Sequence, residues 1–248
     1  DPRTFVTADP AGQKLKSGLL PSDHAAFNGA NPAEDLADMS SKAGVDNGAG
    51  FVPGVYSFYG RKRYYSTYNA EPTILIGYPE MCFNIAEAIS RGWITGDAED
   101  WYKKGIQASI GFYGIKEGAN TFYYLKAGGK VVESGDYIPY TVNFVFNDYY
   151  NQPTVKYASG AAGLEQVLKQ KYLAFFQNSG YEAYYNYRRT GTPDFAKGGP
   201  GTGNSGLIPR RFQYPGTERT TNAANLEEAL QRQFGGKDDI NQDLWIVK

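Results

Sequence analysis

The sequence predicts a mainly α-helical fold carrying one helical hairpin, extensive irregular loops and a few short strands. Three observations predict it. Apolar residues recur every three or four positions over 79–92, 97–114 and 163–176. Asn, Gly, Pro and Asp punctuate residues 1 to about 70 with little helical periodicity. Tyr, Val and Phe gather in short runs between 120 and 160.

Taken in order, residues 1–70 carry turn clusters such as Asn28-Gly29-Ala30-Asn31-Pro32 and Asp46-Asn47-Gly48-Ala49-Gly50. A stretch this long without regular structure is unusual in a compact domain unless it builds a functional surface or lies on something else. The first strong helix begins near Pro79, since proline suits a first helical turn, where its missing N–H costs nothing. Met81, Cys82, Ile85, Ala86 and Ile89 form one apolar stripe, and Gly92 stops the helix. Asp97 is the expected N-cap of the next, which carries Trp101, Tyr102, Ile106, Ser109 and Ile110 and ends near Gly114.

Ile85-Ala86, Ile89, Ala98 and Tyr102 fall at the spacings of a tetratricopeptide hairpin, whose small residues let two helices approach closely. Gly105 stands where alanine is usual, and the closing proline is absent. One such unit needs neighbours on which to bury its faces. Further on, Thr141-Val142-Asn143-Phe144-Val145-Phe146 reads as a short strand. Helix resumes near Gly163 with Leu164, Val167, Leu168, Tyr172, Phe175 and Phe176 on a wide apolar face, and Asn178-Ser179-Gly180 breaks it. A shorter helix, Tyr181 to Arg189, closes at Gly191 and Pro193, with Arg188 and Arg189 expected to bind loop carbonyls at its end. Trp93 is expected to pack the hairpin turn. A Gly/Pro loop over 196–209 precedes the last helix, Asn225 to Phe234, and the tail Leu244-Trp245-Ile246-Val247.

Composition bounds the function. With 248 residues the chain can bury a real core. A net charge of −1 supplies no electrostatic pull toward nucleic acid or an anionic membrane. No apolar run approaches the roughly 18–20 residues that span a bilayer. The single cysteine, Cys82, excludes an intrachain disulfide and a thiolate zinc site. The first residues show no charged segment followed by an apolar one, so either the protein is cytosolic or its export signal is expected upstream. Tyrosine is the compositional excess, 21 against 14 Phe and 3 Trp. Rings with one wet end suit clefts, interfaces and sugar-stacking platforms.

Catalytic motifs fail on context. Gly201-Thr202-Gly203-Asn204-Ser205-Gly206 fits the dinucleotide spacing, and Gly198 to Ser205 the phosphate-loop spacing with Asn204 in place of lysine. Both need a helix next, because the phosphate sits on helix N–H groups, and Leu207-Ile208-Pro209 argues against one. Asp239-Ile240-Asn241-Gln242-Asp243 echoes a calcium loop, but Leu244 replaces the glycine and no glutamate follows. A turn cluster is the better account. His24 is the only histidine, so a His-rich metal site is excluded, and Ser22-Asp23-His24 is no triad because triad members come from separate elements. Glu80, Glu87, Glu99 and Asp100 lie on expected helices as solvated or end-of-helix charges. The chain is expected to be non-catalytic, with no cofactor and no metal.

From Glu71-Pro72-Thr73-Ile74-Leu75-Ile76 through Tyr78-Pro79-Glu80-Met81-Cys82-Phe83-Asn84-Ile85-Ala86-Glu87-Ala88, Arg91-Gly92-Trp93-Ile94 and Gly96-Asp97-Ala98 to Tyr102 and Gly105-Ile106, the sequence resembles the SusD/RagB family, particularly its SusD-like branch. Asp1-Pro2-Arg3 matches an element found midway through such proteins. Leu164-Glu165-Gln166-Val167, Gln170-Lys171-Tyr172, Gly180-Tyr181-Glu182-Ala183, Tyr187-Arg188-Arg189-Thr190-Gly191, Ile208-Pro209-Arg210-Arg211, Tyr214-Pro215, Gln231-Arg232-Gln233 and Trp245 follow in the family's order. Residues 28–50 carry no such likeness.

The resemblance implies a SusD-like helical scaffold with a tetratricopeptide-like hairpin, extensive irregular loops and a few short strands. The chain would form one domain, the C-terminal half of such a protein. Its parts would be a loop-rich ligand side (1–70), the hairpin (71–115), a loop and strand insertion (116–160) and C-terminal helices and loops (161–248). It also implies a surface lipoprotein of the outer membrane, anchored through an N-terminal cysteine not found here, that passes a glycan or peptide to a SusC-like TonB-dependent transporter. The missing cysteine suggests a processed or truncated version.

A glycan receptor needs flat aromatic faces and planar amides or guanidinium forks. The stretch 56–69 supplies both, placing Tyr59, Arg61, Arg63, Tyr64, Tyr65, Tyr68 and Asn69 as candidate ligand contacts. Tyr123 and Tyr124 are the second group, with Asn147, Tyr149 and Tyr150 nearby. Three competing accounts stand beside sugar binding: rings packed against the rest of a longer protein or against the transporter, a tetratricopeptide-like module that holds a peptide or the transporter alone, and a glycan-active enzyme.

Overall fold

The computed structural model describes residues 1–47, 50–69, 71–177 and 179–247. Two expected turns, at Asp46–Gly50 and Asn178–Gly180, include residues outside the described set. Where the sequence suggests one domain, packing divides the chain into two compact units, Asp1–Ala30 with Met39–Phe195, and Asn31–Asp38 with Ala196–Lys248.

The elements, in order, are α1 (Thr4–Thr7), α2 (Gly12–Lys16), α3 (Leu36–Lys42), β1 (Val45–Asn47), β2 (Gly50–Val52), α4 (Arg61–Tyr64), α5 (Tyr78–Ser90) and α6 (Ala98–Phe112). Then follow β3 (Gly118–Leu125), β4 (Tyr137–Phe144), α7 (Phe146–Tyr150), α8 (Gly160–Ala174), α9 (Glu182–Thr190), α10 (Glu218–Thr221) and α11 (Ala223–Phe234). The first seventy residues hold only short pieces, as their turn chemistry dictates.

The hairpin of α5 and α6 forms as its sequence requires. Pro79 sits in the first turn of α5, and the Asp97 carboxylate accepts from the Asp100 N–H at 3.0 Å to cap α6. Both helices pack on each other and on α8. The buried face of α5 differs from the expected stripe: Cys82, Phe83, Ala86 and Glu87 point inward, whereas Met81 is exposed. Phe83 explains Gly105. A Cβ there would lie 2.6 Å from the Phe83 ring, so only glycine lets the ring lie against α6. Trp93 does not pack the turn; it is 67% exposed.

Among the described residues two antiparallel strand pairs form: a short one, β1 with β2, and a longer one, β3 with β4, which runs from Gly118↔Phe144 to Leu125↔Tyr137. Its buried Phe122, Tyr140 and Phe144 join Phe5, Tyr102, Ile106 and Val167 in the main core. The strand ends at Phe144, two residues earlier than its sequence run. The Glu117 carboxylate accepts from the Phe146 N–H at 3.1 Å, and the chain turns into α7.

The face of α8 is more polar than its sequence stripe. Gln170 and Lys171 are buried, and Tyr172 is exposed. Lys171 is held by Asn84 and Asn186, and Gln170 by Arg3, whose buried guanidinium donates to Ser109 (2.9 Å), Gln170 (2.7 Å) and Asp1 (2.6 Å). Tyr149 donates to the same Asp1 carboxylate at 2.9 Å and accepts from Gln170 at 3.0 Å. Within this cluster Arg3, Ser109, Tyr149 and Gln170 thus satisfy one another, as interior burial demands.

In the second unit, Leu226, Leu230 and Phe234 recur on one face of α11 and pack with Tyr214. Arg211 lies 4.0 Å over the Phe234 ring and 2.8 Å from Asp238. The glycine-rich segment forms a loop with one 3-10 turn at Asn204–Gly206, and no helix follows it before Glu218. Asn204 and Asn241 exchange amide hydrogen bonds at 2.7 and 2.8 Å, so the calcium-like segment is occupied with its own chain.

Candidate ligand-binding cleft

The aromatic stretch is held in place from beneath. Asp9 bonds through its N–H to the Phe58 carbonyl at 2.9 Å, and its carboxylate accepts from the Arg61 N–H at the start of α4. The Arg61 guanidinium stands 3.6 Å from that carboxylate and is sandwiched 4.0 Å from Phe51 and 4.2 Å from Phe58. Burial pushes the Asp9 carboxyl up to about 7, with Arg61 drawing it partly back. Arg61 is therefore inside the fold, only 3% exposed. It supports the loop and does not face solvent.

Arg63 is also committed. Its guanidinium makes a fork of two bonds to Glu71, at 2.7 and 2.9 Å, and lies against Phe112 and Tyr113. Tyr64 is half-buried among Phe176 and Tyr59, and burial raises its hydroxyl pKa, with Tyr113 and Glu71 adding to the rise. Tyr59 keeps 48% of its surface exposed. Beyond them Tyr65, Tyr68 and Asn69 project into solvent.

Where α4 meets β3 there is a cleft of about 470 Å³. Lys62 and Arg63 form one side; Asn120, Thr121, Phe122 and Tyr123 form the other, with Lys116 at the rim. The Lys62 ammonium hangs 5.7 Å from the Tyr123 ring and 4.9 Å from Tyr137. Asn120 is locked by its own turn: its Oδ1 accepts from the Lys116 N–H at 2.9 Å, and its Nδ2 donates to the carbonyls of Lys116 and Gly118. The cleft thus offers ring faces, ammonium donors and a threonine hydroxyl, a set suited to holding hydroxylated ligands.

Of the sequence-predicted residues, the fold brings Arg63 and Tyr123 to this cleft, with Tyr59 and Tyr64 clustered on Phe176 beside them in the chain. Tyr65, Tyr68 and Asn69 do not line it. Tyr124 cannot share a face with Tyr123, since successive strand residues point oppositely. It packs 6.0 Å from Tyr140 and borders a separate hollow of about 180 Å³. Tyr149 and Tyr150 are core residues. Sequence reasoning passed over Lys62, Lys116, Asn120 and Thr121. Lys62 lay in view between two arginines, while the other three carry no local signal.

Fold and cleft together define a mainly helical scaffold with a tetratricopeptide-like hairpin and a loop-built cleft. Residues 34–215 match the SusD-like family described as starch-binding and associating with the outer membrane. Two SusD homologues of Bacteroides fragilis are each 28% identical, with TM-scores of 0.73 and 0.72, covering 99% and 100% of this chain. A SusD-like protein of Bacteroides thetaiotaomicron, 23% identical over 99% of this chain and 47% of its own, shares the fold with a TM-score of 0.57. None of the curated proteins compared is similar to it. The chain belongs to the SusD-like family. It spans about half of the solved relatives, 49% and 48% of the two homologues.

Proposed function

We propose that this chain is the part of a cell-surface nutrient receptor that holds a glycan, without catalysis, for delivery to a SusC-like TonB-dependent transporter at the outer membrane. In the full-length protein a lipid anchor would hold it there. The family's description as starch-binding and outer-membrane-associated supports this reading. The cleft supports it most: Tyr123 and Lys62 converge across about 470 Å³, within the size of ordinary ligand pockets, about 300–1,000 Å³. Tyr59, Tyr65, Tyr68 and Asn69 would extend the surface along a longer oligosaccharide, with Arg61 bracing it from below.

Affinity electrophoresis and calorimetry against neutral and acidic oligosaccharides test the reading. Tyr123→Ala and Lys62→Ala are each expected to weaken the best ligand about tenfold, or about 1.4 kcal/mol. A wild-type protein that retains no glycan of the panel defeats it.

One observation favours the second reading, a protein-interaction module. Leu75 and Ile76 are 91% and 82% exposed and line an apolar groove of about 720 Å³ against α6. Under that reading Leu75→Asp with Ile76→Asp abolishes transporter co-purification while glycans never bind.

A further inference from the structure

A second pocket, of about 440 Å³, lies between α5, α8 and α9 and shares no residue with the first cleft. Its floor is polar and prearranged. The Lys171 side chain is buried, its ammonium donating to the Asn84 Oδ1 at 2.7 Å and the Asn186 Oδ1 at 3.1 Å. Burial lowers its pKa. Beside it the buried Glu87 accepts from both Nη atoms of Arg189, at 2.5 and 2.9 Å, and from Arg91 at 2.8 Å. Burial alone would raise the Glu87 pKa; these bonds outweigh it and hold the carboxyl below its ordinary range. Arg189 thus serves a carboxylate, where the sequence pointed to loop carbonyls.

This floor leaves groups for a ligand. Because Asn84 gives its oxygen to Lys171, its amide N–H₂ turns to the other side, and it makes no hydrogen bond among the described residues. The walls carry two exposed rings, Trp93 at 67% and Tyr185 at 47%. Arg91 stacks 5.4 Å from the Trp93 ring, and Tyr181 and Tyr184 brace Tyr185 at 6.1 and 5.7 Å. Charge balances: Glu80, Glu87 and Glu182 stand against Lys171, Arg189 and Arg91. An anion or a cation gains little from such a balance. A neutral molecule with hydroxyls and a flat C–H face gains from donors, acceptors and rings together.

We propose that this pocket is a second saccharide subsite that takes a neutral sugar unit, stacked on Trp93 and hydrogen-bonded to Asn84 and Glu182. It rests on the glycan-binding reading and adds a separate site to it.

The test compares wild type with Trp93→Ala, Asn84→Ala and Tyr123→Ala in titrations with neutral hexaoses of glucose, galactose and N-acetylglucosamine, with the Trp93 indole N–H resonance as a local reporter. Trp93 is exposed, so its replacement spares the core, whereas Asn84→Ala also takes an acceptor from the buried Lys171 ammonium; Trp93→Ala is therefore the variant that reads the site alone. A neutral hexaose is expected to shift the Trp93 indole signal, and Trp93→Ala and Asn84→Ala to weaken that binding event about tenfold while Tyr123→Ala leaves it unchanged. Glycan binding that persists undiminished in both Trp93→Ala and Asn84→Ala overturns the second site and leaves the first. A wild type whose only binding event is the one reported by Trp93, with no separate event sensitive to Tyr123→Ala for any glycan, keeps the second site and removes the first. No hexaose bound by wild type overturns this proposal, and acidic glycans then decide the first cleft alone.

Discussion

Asp9 and Arg61 show how far one residue pair reaches. The carboxylate ties α4 to the chain below it, and Phe51 and Phe58 enclose the guanidinium. The Asp9 carboxyl, raised to about 7 in the fold, returns to about 3.9 in the unfolded chain. Between those values the native state holds a proton that the unfolded state has released. The group's contribution is therefore full below about pH 4 and is lost as pH rises through 7. Asp9→Asn removes this dependence. Thermal melts from pH 4 to 8 are expected to show wild type losing stability relative to Asp9→Asn, by at most about 1.4 kcal/mol per pH unit. Parallel curves would refute it. The sequence grouped Arg61 with ligand contacts because arginine amid tyrosines looks the same whether it faces sugar or core. Only the return of Phe51 and Phe58 over it decided the matter.

At the scale of elements, α5 and α6 were readable from periodicity, a first-turn proline and an Asp cap, all of which act within a few residues. Their packing partners were not. Gly105 reads as a flaw in the repeat until Phe83 is placed against it. Gly105→Ala gains about 1 kcal/mol of helix propensity but forces a methyl group to 2.6 Å from the Phe83 ring, an overpacking that costs about 1–3 kcal/mol. The ring is fully buried and flanked by Tyr102, so it has little room to move. Net destabilisation is expected in urea unfolding; a stabilised variant would show that the ring yields. The β3 strand was hidden for a related reason, since its rings Phe122, Tyr123 and Tyr124 run without a polar alternation.

For the molecule as a whole, two compact units imply unequal protection. One core cluster of the first unit holds fifteen buried side chains, whereas the cluster on α11 holds three. Amide exchange in α11 is expected to be faster than in α5, α6 and α8, as read by native-state hydrogen exchange. Equal rates would mean that the small cluster opens only with the rest. By itself the sequence determined the five longer helices to within a few residues at their ends, the family and the aromatic richness of residues 56–69. These rest on local spacing and on residue order, which the chain carries whatever its path. Tertiary structure alone decided which rings face inward, which cation meets which carboxylate, and that Lys62 meets Tyr123 while Lys171 meets Asn84. Burial and polar pairing depend on contacts between residues as many as 167 positions apart, as Arg3 and Gln170 are. No local pattern encodes such a meeting.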